Sequence, residues 1–225
     1  MDWTKLIEVD FGIRDVTHDP KLLYALIRNA GGIVNDKKPL SKAFILACEG
    51  GHMEMVKYLL TRFDVDPGYN KSESLARACE SDNYELVKIL LNDPRVDISE
   101  NVIKAALKFE RILSFLLSVG SICDPKYKRM SPKIATDGLD YAIFVVRNPV
   151  AIREFIKKGI HPMRITYGNI YPTPEVMRAL LESDKIKIDS NLVKMMLLQN
   201  RDVAELMTQH KSFTGDKLAL LGTGG

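Results

Sequence analysis

The residues capable of chemistry are few and widely spread. Histidines stand at His18, His52, His161 and His210. No two share the short spacing by which a helix or turn holds a metal ion. The cysteines are Cys48, Cys79 and Cys123. Cys48 and Cys79 occupy equivalent places in adjacent helical units. Packed helices lie roughly 8–10 Å apart, beyond the ~7 Å Cα separation a disulfide spans. They are expected to be small core residues rather than a redox or metal pair. Glycine-rich phosphate loops, Gly-x-Ser-x-Gly and His-Glu-x-x-His are absent. Carboxylates are abundant, and none forms a pair distinct from ordinary helix surface. The expectation is no catalytic residue, no metal and no cofactor: a protein that is not an enzyme. One local anomaly remains, the basic segment 126–133 with Lys126, Tyr127, Lys128 and Arg129. It could grip an acidic partner or a phosphate, and Tyr127 could stack on a base.

Bulk composition narrows the class. The chain has 225 residues, 46% hydrophobic and 27% charged, ordinary values for a folded protein. Lys+Arg 32 against Asp+Glu 29 leaves +3, too balanced to make nucleic acid or a membrane surface the main partner. No apolar run approaches the roughly 18–20 residues a membrane span needs. The first residues, Met1 to Lys5, lack the basic and apolar regions of a signal peptide. An odd cysteine count in a long chain points to a reducing compartment. The expected location is cytoplasmic, in a host cytoplasm or nucleus if the protein acts on a host.

The elements that must position these residues follow from a repeated pattern. An aliphatic residue, two spacers and a paired Leu/Phe-aliphatic recur seven times. The closing pairs begin at Leu26, Leu59, Leu90, Leu116, Phe155, Leu180 and Leu206, 25 to 39 residues apart. Periods in this range mark a stacked repeat protein, in which each unit buries its face against its neighbours.

The clearest unit covers 41–70. A short helix carries small Ala47 and Cys48, and Gly50-Gly51 ends it. A second helix follows with Met55, Val56, Leu59 and Leu60 on one face. Asp66-Pro67-Gly68 then signals a turn. The next unit repeats the order with Ala78-Cys79, a break at Ser81-Asp82-Asn83, a helix over 84–91 and a loop Asp93-Pro94-Arg95-Val96-Asp97. A third has Ala105-Ala106 and Leu116-Leu117. Further helices are expected over 3–9, 21–27, 139–147, 150–157, 192–198 and 201–209. Thr173-Pro174-Glu175 starts another, with a capping threonine, a first-turn proline and an acid at the dipole's positive end. The tail from Asp216 to Gly225 is expected to fray.

These units resemble the ankyrin repeat. The family's Leu-Ala-Ala-x-x-Gly-His is similar to Leu46-Ala47-Cys48-Glu49-Gly50-Gly51-His52. Its Glu-Val-Val-x-x-Leu-Leu is matched by the stretches Glu54 to Leu60 and Glu85 to Leu91. The family's Thr-Pro-Leu-His is absent, with Ser41-Lys42-Ala43-Phe44 nearest to it. Such degenerate repeats are similar to those of large DNA viruses and of bacteria living inside amoebae. The resemblance implies an all-α, ankyrin-like helical-hairpin solenoid with shortened fingers. It divides into a capping unit over 1–40, repeats over 41–210 and a tail over 211–225. In ankyrins the histidine at the place of His52 bonds neighbouring backbone.

The resemblance also implies a non-enzymatic scaffold, monomeric on its own, that binds a protein partner through the concave face and finger loops. A host-directed viral or bacterial effector fits that description. Carried onto this chain, the binding residues are Lys42, Ile45, Glu49, Ala76 and Glu80 on the first helices. In the finger they are Asp66, Tyr69, Asn70 and Lys71. The loop residues Lys126, Tyr127, Lys128 and Arg129 join them. Ile45, if exposed, would be the anchor. The alternatives are a structural or assembly component, and a nucleic-acid accessory protein using the loop 126–133.

Overall fold

The computed structural model describes residues 38–62, 64–119, 130–168 and 170–221. The expected helices over 3–9 and 21–27, and most of the basic segment, lie outside these residues. The described residues are helical, with no strand beyond two isolated bridges. The all-α helical-hairpin expectation holds. None of these helices is long and apolar enough to cross a membrane. The chain divides into two compact units, 1–112 and 113–225.

The first unit contains α1 (Lys38–Glu49), α2 (Met53–Leu60), α3 (Tyr69–Glu80), α4 (Tyr84–Leu91) and α5 (Glu100–Ala106). The division falls within α6 (Glu110–Val119). The first helices of the hairpins stack on one another, α1 on α3 and α3 on α5. α1 also packs on α2, and α3 on α4. Small residues permit this close stacking: Ala47, Cys48, Ala78 and Cys79 are all buried. The second helices fill the layer with Met55, Val56 and Leu59, then Leu86, Val87, Leu90 and Leu91. Each large side chain so buried contributes about 1.5–3 kcal/mol.

The first two hairpins each bend through one left-handed residue followed by a capping position. Gly51 (φ 68°) precedes His52, and Asp82 (φ 52°) precedes Asn83. The amides of His52 and Asn83 donate to the carbonyls of Ala47 and Ala78, at 2.9 and 3.1 Å. The Asn83 side chain accepts from the Leu86 amide at 3.1 Å. His52 makes no such cap. Its ring lies over Gly50, where a Cβ would stand 2.5 Å from Nε2. The hydrogen bond that the resemblance implied for this imidazole is not formed among the described residues; packing on a glycine replaces it.

The second unit keeps the hairpin in altered form. Ser131 caps α7 (Pro132–Tyr141), which continues as a π-helical turn, Ala142–Val146. The helix therefore starts before the expected 139 and takes Lys133 out of the basic loop. Arg147 (φ 54°) is the left-handed residue, and Asn148 accepts from the amides of Val150 and Ala151 to cap α8 (Pro149–Lys157). Then come α9 (Pro174–Leu180), capped by Thr173 as expected, α10 (Ser190–Leu197) and α11 (Arg201–Gln209). Lys217–Leu221, within the tail expected to fray, forms a short α12, and 222–225 lie outside the described residues. α8 packs on α9, α9 on α11, α10 on α11, and α10 on α12.

One hairpin lacks its first helix. The described residues of 158–173 contain none, although α9 is the second helix of that unit. Instead Tyr167 and Ile170 exchange backbone hydrogen bonds of 3.1 and 2.9 Å across a turn with Gly168 at φ 57°.

Candidate partner-binding surface

The first unit ties each loop to the preceding first helix by the same device. Ser41 Oγ accepts the Asp66 amide at 3.1 Å, and Ser72 Oγ accepts the Asp97 amide at 2.9 Å. In both cases the partners are 25 residues apart. Ser41 and Ser72 are fully buried, so the hydroxyls satisfy amides that water would not reach. Ser99 holds the corresponding place before α5. Its buried Oγ has no partner among the described residues.

Arg95 adds a second tie. Its guanidinium donates to the carbonyls of Val65 (2.9 Å) and Leu60 (3.2 Å), one repeat back. Asp93 orients it through Nε at 2.9 Å and Nη2 at 2.7 Å. The hydrogen bond to Asp93 raises the arginine pKa, against the effect of partial burial. The fork geometry of arginine suits this double duty. Nothing in the sequence marked Arg95 beyond its place in the loop. Gly68 is needed for the approach, because a Cβ there would collide with the Arg95 carbonyl oxygen.

These ties frame an unusual finger. Asn70, Lys71 and Ser72 are three consecutive non-glycine residues in the left-handed region, at φ 52°, 58° and 59°. Each such residue costs about 1–2 kcal/mol. The cost is offset locally. The Gly68 amide donates to Asp66 Oδ1 at 3.0 Å, and Ser74 Oγ to the Pro67 carbonyl at 2.8 Å. The Asn70 amide group donates to Glu73 Oε2 at 2.6 Å. Strain held this way is a feature of ligand clamps and active sites.

The expected binding residues separate into three groups. Lys42, Glu49, Asn70, Lys71 and Glu80 are exposed. Asp66 and Tyr69 are half-buried, with Asp66 engaged in the turn. Ile45 and Ala76 are corrections: each is only 7% exposed. They occupy the same position in successive units, on helices that pack against more than one neighbour, so this position faces the core. Ile45 is not an exposed anchor. Lys126, Tyr127, Lys128 and Arg129 lie outside the described residues.

The surface also holds two residues the sequence reading missed. Arg77 donates to Glu73 at 3.2 Å and to Glu80 at 3.1 Å. Partial burial works against its cation. The Glu73 hydrogen bond and the fields of Glu49 and Glu80 outweigh that and raise its pKa. Arg77 therefore sits amid three carboxylates on adjoining first helices. The i, i+3 and i, i+4 spacing of Glu73, Arg77 and Glu80 was the available signal.

The remaining chemical candidates are structural. Cys48 and Cys79 are free and buried. Burial pushes the Cys48 thiol far above its ordinary value, and burial with Glu80 nearby pushes Cys79 up to about 12. His161 Nδ1 lies 2.7 Å from Ser183 Oγ, and Ser183 is fully buried. That hydroxyl also accepts the Lys185 amide at 3.3 Å, so the pair locks a loop and offers no reachable nucleophile. His210 makes a similar local contact with Ser212 at 2.8 Å. Among the described residues no group of three His, Cys, Asp or Glu side chains could hold a metal.

Comparison with known families fits this hairpin geometry. Residues 15–102 match the model for ankyrin repeats, in three copies. The match takes in α1 to α4 and the start of α5. No curated protein and no solved structure matches the chain. Ankyrin repeats generally mediate protein–protein interaction and are a non-enzymatic module. Beyond residue 102 the hairpin signature persists, in the left-handed Arg147 before the capping Asn148.

Proposed function

We propose that this chain is a scaffold, monomeric on its own, that binds a protein partner on the face formed by α1, α3 and the finger that runs from the end of α2 into the left-handed first turn of α3. The left-handed triplet at Asn70, Lys71 and Ser72 carries the proposal. It is strained, held by hydrogen bonds on both sides, and leaves Asn70 and Lys71 exposed. A finger fixed in advance loses little entropy on binding. Lys42, Glu49, Arg77 and Glu80 supply a mixed-charge surround that favours orientation and specificity. A cytosolic setting belongs to the same reading, supported by the free, buried thiols of Cys48 and Cys79.

The test is affinity capture from the source cells with mass spectrometry. Wild type is run beside a Lys42→Glu, Lys71→Glu, Glu80→Lys variant. A partner captured by wild type and lost from the variant supports the proposal. A partner held equally by both refutes this surface. Recovery of nothing except further copies of the chain would favour the assembly role.

A further inference from the structure

The second unit carries a groove where a first helix is missing. It has a volume of about 440 Å³ and is lined by Met163, Ile165, Leu192, Lys185, Lys187 and Asp189, among others. Ordinary ligand pockets span roughly 300–1,000 Å³. On its lining Met163 is 88% exposed, the most accessible large apolar side chain among the described residues. Tyr167, Ile170, Val145 and Val150, outside the groove's lining, are exposed as well. The ring of Tyr167 lies 6.0 Å from that of Phe144 and beneath the Arg164 guanidinium at 4.3 Å.

One wall has a regular charge pattern. Along 185–189 the residues alternate strictly: Lys185 exposed, Ile186 buried, Lys187 exposed, Ile188 buried, Asp189 exposed. Ile188 forms a parallel bridge with Phe213, and Asp189 has extended backbone angles. Lys185 ends a turn, and the run leads out of it with its isoleucines entering the core and its lysines exposed. Neither lysine has an ion-pair partner among the described residues. The Asp189 carboxylate is engaged, accepting the Leu192 amide at 2.8 Å to cap α10. Arg164 is likewise bound to Asp140 at 2.6 Å. The groove therefore offers two unpaired cations, two residues apart, beside apolar side chains.

We propose that this groove binds an extended acidic peptide whose carboxylates alternate with apolar residues. In an extended chain, residues i and i+2 lie on the same side roughly 6.5–7 Å apart. Lys185 and Lys187 are both exposed with buried Ile186 between them, so acids at i and i+2 are the spacing that answers them. The intervening apolar side chains meet the exposed Met163, above the largely buried Ile165 and Leu192. A nucleic acid would instead seek a longer cationic track with aromatic platforms. This site belongs to the second unit and does not depend on the finger surface of the first.

The experiment uses the full-length chain and fluorescein-labelled octapeptides in anisotropy titrations. One peptide alternates aspartate with leucine; a second has the same composition in two blocks; a 20-nucleotide oligothymidine is the third ligand. The alternating peptide should bind tightest, and more weakly as salt rises. A Lys185→Glu, Lys187→Glu variant, checked by circular dichroism, should bind it at least tenfold more weakly. Amide shifts of the ¹⁵N-labelled wild type should map to residues 185–192, a readout independent of the variant's folding. Equal binding of both peptides, an unchanged variant, or shifts confined to the first unit would overturn the proposal. Tighter binding of the oligothymidine would replace it with a nucleic-acid site.

Discussion

Replacing Ser72 with alanine should destabilise the first unit more than its size suggests. Ser72 is 1% exposed, and its Oγ accepts the Asp97 amide at 2.9 Å. Alanine removes the acceptor and leaves that amide unsatisfied in a part-buried site, which costs about 1–3 kcal/mol. It brings no compensating relief, because position 72 stays left-handed at φ 59° and alanine is as strained there as serine. The expected loss is about 2 kcal/mol. Urea unfolding of the full-length chain, followed by far-ultraviolet circular dichroism, measures it as a shift in midpoint. Repeat proteins can unfold in stages, so the transition to compare is the one that Ser41→Ala also shifts. Lys42→Ala, on the exposed side of α1, is the control. A Ser72→Ala loss below about 0.5 kcal/mol, no greater than the control, would refute the tie between repeats.

Gly68→Ala should cost about 1–3 kcal/mol in the same assay, because the new methyl meets the Arg95 carbonyl and a backbone must shift. Arg147→Gly should stabilise the second unit by roughly 0.5–1 kcal/mol, since φ 54° suits glycine and the arginine is exposed. In a Cys123→Ser background, Cys48 and Cys79 should not react with a thiol reagent at pH 8 until urea unfolds the chain, and rapid native labelling would contradict their burial. Burial, aided by Lys185, lowers the His161 pKa from 6.5. The unfolded chain then binds more protons just below pH 6.5. The histidine's contribution is therefore fully present above pH 6.5 and is lost as pH falls toward the folded value. His161→Gln should flatten the stability profile in that window, and an unchanged slope would contradict it.

The hairpins were legible because their determinants are local. Small pairs such as Ala47-Cys48 and double aliphatics such as Leu90-Leu91 recur at fixed places, and burial follows them. Ile45 and Ala76 show where local reading fails. Their exposure depends on how many neighbours a first helix touches, and α3 packs on α1, α4 and α5. The missing helix before α9 was not betrayed by spacing. The interval from Phe155 to Leu180 is close to that from Leu90 to Leu116, where α5 does form. The usable signal was Ile165-Thr166-Tyr167-Gly168-Asn169-Ile170-Tyr171, aromatic and β-branched residues around a Gly-Asn turn. The serine ties and Arg95 are tertiary pairings 25 to 35 residues apart, which composition and periodicity do not encode.

The central claim is that the finger after α2 meets a protein partner. Site-specific photocrosslinking tests it most directly. A photoreactive amino acid is placed at position 71 in the finger or, as a control, at position 88 on α4, both exposed in the native chain. Irradiation in the source cells should give a discrete protein adduct from position 71 and none from position 88. An adduct from position 88 alone, or identical adducts from both, would contradict the claim.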